Sequence, residues 1–198
     1  MPVALFLRIS SGVRRFSDNP GWSVMLAAVS MTLLPVLVIV AGTGDVLSRQ
    51  IPNRLVLLIA ICFFPLAWAH GLPPSAMLIH ACAGLAVLLA GFALFSFGFM
   101  GGGDAKLLAA VAIWFGFAGL PQLLLMTVLA GGLLALAVLA WSVLSLQAEL
   151  DEWRFTRRLT SARPSVPYGF AIAAGALLSI QGSWLVPAAT TATWLTQI

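Results

Sequence analysis

Leu107 to Ala148 is a run of 42 residues without one charged side chain. A helix needs about 20 apolar residues to cross a bilayer, so this run is long enough for two crossings. Gly119-Leu120-Pro121-Gln122 is the natural turn between them. Three further uncharged runs precede it: Val24 to Ala41, Leu55 to Ala69 and Ala76 to Met100. Leu55 to Ala69 is short for a span and reaches across by tilting or by borrowing flanking residues. Tyr168 to about Val186 supplies a last run. Only 8% of the residues are charged and 61% are hydrophobic, against about 25% charged in a soluble domain. The mean hydropathy is +1.05. These features predict an all-α integral membrane protein of about six transmembrane helices. Residues 23–198 would form one membrane domain, with residues 1–22 as an N-terminal segment.

That N-terminal segment carries Arg8, Arg14, Arg15 and Asp18, with Phe6, Ile9, Val13 and Phe16 at helical spacing. It reads as an amphipathic helix lying at the interface. A cleaved signal peptide fits less well, because the basic residues follow the apolar stretch instead of preceding it. Of the ten Lys and Arg residues, seven fall in the links after spans one, three and five. Positive charge marks the cytoplasmic side, so those links face the cytoplasm, although the three N-terminal arginines argue the other way. Cys62 and Cys82 lie inside apolar runs and read as packing residues. No basic stripe with interleaved aromatics is present, which argues against nucleic-acid binding.

Two acids stand beside glycines at the ends of apolar runs. Asp45 ends the first, after Gly42-Thr43-Gly44, and Asp104 follows Gly101-Gly102-Gly103 at the start of the fourth. A carboxylate in such a setting is costly, by roughly 2.5–3.5 kcal/mol when central in a span, and so usually has a task. The topology brings both to one depth although they are 59 positions apart. Two carboxyl groups a few ångströms apart cannot both ionise easily and tend to hold one proton between them. Such a pair can draw a proton from water and stabilise a tetrahedral oxyanion without a metal. The glycines at 101–103 would let an extended backbone come close to Asp104.

Three segments resemble one family. Asp45-Val-Leu-Ser-Arg-Gln-Ile-Pro-Asn53 resembles the first catalytic segment of type IV prepilin peptidases, and Gly101-Gly-Gly-Asp104-Ala-Lys-Leu-Leu108 their Gly-x-Gly-Asp motif. Val166-Pro-Tyr-Gly-Phe-Ala-Ile-Ala-Ala-Gly175 is similar to their last-helix motif. The resemblance covers roughly residues 24–187. It implies a six-helix fold, a multi-pass location in the bacterial inner membrane, and removal of the leader peptide from pilin precursors on the cytoplasmic side. Asp45 and Asp104 match the two catalytic aspartates. No Cys-x-x-Cys pair is present, so the likeness is to the short peptidase-only form of Flp-type (Tad) pilus systems, without methyltransferase activity. Val46-Leu47-Ser48 departs from the more polar run usual at that place.

Around the two aspartates, Pro52 and Asn53 would shape the turn that holds Asp45, and Gly101 and Gly103 would clear the approach to Asp104. Lys106 reads as a cation snorkelling to the interface, with tuning of the neighbouring carboxylate as the alternative. Tyr168 would either donate a hydrogen bond near the site or anchor at the interface. Arg49 and Arg54 read as topology markers. The loop from Glu149 to Arg163 is either a solvated basic loop or a contact for pilin or lipid headgroups. His70 and His80 fall at or near the opposite face, away from catalysis. Taken alone, Asp104 also reads as a helix N-cap. No cofactor or metal is expected. The expected partners are a prepilin or pseudopilin precursor and the bilayer, with a homo-oligomer left open. Two rival functions use the same residues: a proton-coupled transporter with the aspartates as a relay, and a non-catalytic membrane subunit of a pilus assembly.

Overall fold

The computed structural model describes residues 20–148 and 168–180. The N-terminal amphipathic segment, the loop from Glu149 to Arg163 and the end of the last span lie outside them. Five helices follow in chain order: α1 (Pro20–Ser48), α2 (Asn53–Ala69), α3 (Pro74–Ser96), α4 (Gly102–Ala148) and α5 (Tyr168–Ser179). No strand occurs among the described residues. Three stretches, Ala28–Ser48, Pro74–Ser96 and Gly102–Trp141, are long and apolar enough to cross a membrane. Large apolar side chains such as Leu57, Phe92, Leu133 and Leu136 are exposed. A surface of this kind suits lipid and would be a liability in water.

α4 is not one straight rod. Asp104, Leu108, Leu124 and Val128 line a single cavity. In an unbroken helix Asp104 and Val128 would stand roughly 36 Å apart, so the chain doubles back between them. The break is at Gly116, with φ 59° and ψ −173°, a conformation essentially confined to glycine. The turn expected at Gly119–Gln122 is therefore misplaced: Pro121 lies inside the helix. The reason is packing. A Cβ at Gly116 would come within 2.8–3.0 Å of the His80 ring, so α3 occupies the space that any larger residue would need. His80 Nδ1–H donates to the Ile113 carbonyl at 2.7 Å. That carbonyl lies in the last turn before the break, where a helix leaves its carbonyls without intrahelical partners.

The core gathers around the first arm of α4. Trp114, Phe63, Leu34, Ile59, Leu107, Leu123 and Ile172 are fully buried. Trp114 Nε1–H donates to the Ile59 carbonyl at 2.9 Å and ties α4 to α2. Phe63 packs edge-on to Trp114 and stacks on His80. In lipid, helices associate through close packing and interhelical hydrogen bonds, and small residues let backbones approach. Gly42 of α1 faces Ala173 of α5, Gly91 of α3 faces Ala105 of α4, and Gly175 of α5 faces Thr127 of α4, each too close for an added Cβ.

Candidate active site

Asp45 lies in the last turn of α1, which runs three residues beyond it to Ser48. The helix stops where Arg49 takes φ 54°, and the Arg49 N–H donates to the Asp45 carbonyl at 2.9 Å. A left-handed residue after the last turn is a common helix stop. Pro52 then takes an extended conformation ahead of α2. Ile51, inside this short link, packs on the core and faces Gly103. The link thereby joins the end of α1 to the start of α4.

Asp104 sits in the first turn of α4, at the third helical residue. Its carboxylate reaches back to accept a hydrogen bond from the Gly101 backbone, the geometry of the acidic half of a capping box. The N-cap position considered for Asp104 is therefore held by Gly101, and Asp104 supports the cap from the third helical residue. Gly102 and Gly103 are helical, and none of Gly101, Gly102 and Gly103 has positive φ. The left-handed turn lies earlier, at Gly98, with φ 75°. Gly101 matters for space instead: a Cβ there would stand 2.7 Å from Asp104 Oδ2.

The two carboxyl groups lie within electrostatic reach of each other. Asp45 is only 7% exposed, while Asp104 is partly open and borders a cavity of about 520 Å³. Phe99, Met100, Leu108 and Leu124 give that cavity apolar walls, and Tyr168 closes part of its rim. The Tyr168 ring lies against Gly131. One residue on, the Gly169 N–H donates to Asp45 Oδ2 at 2.8 Å. A first-turn helical N–H has no intrahelical acceptor, so α5 offers its free donor to the buried carboxylate.

Lys106 and Asn53 do not join this group. Lys106 Nζ donates to Asn53 Oδ1 at 3.4 Å, and the two border a different cavity that shares no lining residue with the first. Asp104 and Lys106 are two residues apart and therefore point to opposite sides of the helix. His70 hydrogen-bonds Ser30 Oγ at 3.1 Å, near the start of α1 and the end of α2, away from the aspartates. Among the described residues no cluster of three or more His, Cys, Asp or Glu side chains is arranged to hold a metal ion.

Sequence reasoning missed Gly169 as a donor and Ile51 as a bridge. The signal for Gly169 was its place just after Tyr168, at a helix start, where a bare backbone N–H is available. A Cβ on Gly169 would meet Asp45 Cβ, Cγ and Oδ2 at 2.9 Å. Comparison with curated proteins gave no match, and neither did comparison with solved structures. The family model for the type IV leader peptidase family matches residues 32–136. This stretch is just over half of the chain and holds both aspartates, the break at Gly116 and the link between α1 and α2, and the chain belongs to that family of membrane proteases.

Proposed function

We propose that this chain is an aspartic endopeptidase that removes the leader from Flp-type prepilins at the cytoplasmic face of the inner membrane, with Asp45 and Asp104 as its catalytic pair. The observation that carries the reading is the meeting of these two acids. They come from separate helices and share one end of the bundle within electrostatic reach. One is fixed by Gly169 and the other opens on an apolar cavity.

In this mechanism the pair holds one proton. The ionised member takes a proton from water as the water oxygen attacks the scissile carbonyl. The protonated member hydrogen-bonds the developing oxyanion and later passes its proton to the leaving amine. Gly169 engages one oxygen of Asp45, which leaves the other to face the water. The cavity beside Asp104 takes the apolar part of the precursor next to the cleaved bond. The cytoplasmic orientation rests on the distribution of Lys and Arg, since Arg49, Arg54 and Lys106 stand at the aspartate end of the chain's helices.

The test is co-expression with a prepilin that carries a glycine before its apolar run, followed by a gel shift for leader loss. Asp45→Asn and Asp104→Asn should each lower processing by at least roughly 10²-fold at unchanged protein level. Full processing by either variant refutes the pair.

A further inference from the structure

A second cavity, of about 530 Å³, lies on the side of α4 away from Asp104, between α2, α3 and the first arm of α4. α2 and α3 are joined by a tight turn at Gly71, where φ is 79°; near that turn Phe63 stacks on His80, and farther along the two helices diverge. The space between them opens as a wedge. Its walls are apolar, formed by Val56, Ala60, Leu88, Ala109 and Ile113 among others, and only Asn53 and Lys106 bring polar groups to it. Both stand at one end, Asn53 at the start of α2 and Lys106 in the second turn of α4. From Lys106 to Ile113 the wedge runs roughly 10 Å along α4.

The polar end is only half used. An ammonium group has three donors. Among the described residues Lys106 has one hydrogen-bond partner, Asn53 Oδ1, and no carboxylate pairs with it. The ligand that fits has an anionic head and an apolar tail entering on one side. An apolar polypeptide helix is a poor match, because it brings no anion to Lys106 and leaves that end of the wedge uncompensated. An acyl chain is slimmer and is always at hand in a bilayer. We propose that this wedge is a binding site for an anionic phospholipid, with the phosphodiester at Lys106 and Asn53 and one acyl chain between α2 and α3. The site is independent of the peptidase reading. Bound lipid would hold α2, which follows the link carrying Ile51, apart from α3.

The test uses the full chain in detergent, stripped of lipid and titrated with phosphatidylglycerol or phosphatidylcholine under native mass spectrometry. The wild type should retain one phosphatidylglycerol and prefer it to phosphatidylcholine by about fivefold, as expected for one lysine near the head. Lys106→Ala should abolish that preference and Lys106→Arg should keep it. Ala60→Phe, which fills the wedge, should lose both lipids while its circular dichroism stays helical. Equal affinity for the two lipids in the wild type overturns the proposal. So does undiminished retention by a folded Ala60→Phe protein, or one-for-one displacement of the lipid by an apolar helical peptide.

Discussion

The Gly169 N–H donates a 2.8 Å hydrogen bond to Asp45 Oδ2 across 124 positions of sequence. The bond holds a buried carboxylate at the end of α1 against the first turn of α5, and it requires the donor to lack a side chain. Asp45 is thereby fixed by backbone, while Asp104 faces it from the start of α4 with its own backbone partner at Gly101.

Gly169→Ala tests this contact. The new Cβ would press on Asp45 Cβ and Cγ at 2.9 Å, atoms that cannot swing aside as a chain end does. α1 and α5 must separate or the carboxyl must turn. A misplacement of about 1 Å can cost on the order of 10²-fold in rate, so leader removal should fall by that order at equal protein level. Wild-type processing would show that this bond does not position Asp45.

Gly101→Ala should act more gently. Its Cβ would stand 2.7 Å from Asp104 Oδ2, the free end of a side chain, and Gly101 does not have positive φ. The carboxylate should move and the backbone stay. Unfolding in denaturing detergent should change by no more than about 0.5 kcal/mol, while processing drops by roughly tenfold or more. Equal loss of stability and activity would show that the residue is merely structural.

Gly116→Ala should destabilise the chain by about 1–3 kcal/mol, since it forces a side chain into a glycine conformation and against the His80 ring. His80→Ala should cost about 1–3 kcal/mol by orphaning the Ile113 carbonyl. The two sites touch, so the double variant should be less destabilised than the sum of the single ones. Detergent unfolding of all four proteins measures this, and strict additivity would contradict a shared turn.

His70 gives a dependence on pH. Burial lowers its pKa below the ordinary 6.5, while the backbone at Leu26 pulls it up. As pH falls below 6.5 the unfolded chain takes up this proton before the folded one does. Stability is therefore full above 6.5 and lost as pH falls toward the depressed folded value. Unfolding midpoints compared at about pH 7.5 and about pH 5.5 should show the drop, and His70→Gln should reduce it. An unchanged slope in that variant would assign the effect to other groups.

Much of the candidate site could be read from residue order because its parts are expensive in a membrane. Asp45 and Asp104 stand out against uncharged runs, and the pairing followed from the topology of the spans. The reversal within the 42-residue run was also expected, yet its place was not. Pro121 is the louder local signal, but a proline inside a membrane helix is tolerated, whereas the conformation at Gly116 leaves no alternative to glycine. Local composition could not reveal that His80, 36 positions earlier, would fill the space beside it. The same holds for Lys106 and Asn53. Their motifs adjoin the aspartates, but the helical period turns Lys106 to the other side of α4.

The order of residues alone determined that this chain is helical, lies in a membrane and carries two acids at span ends, because lipid penalises charge and unpaired backbone wherever they occur. Tertiary structure decided the rest. It selected which glycine breaks α4, which backbone N–H holds Asp45, and which side of the helix each motif residue faces. Those outcomes depend on how closely two helices approach, a distance set by side chains remote in sequence.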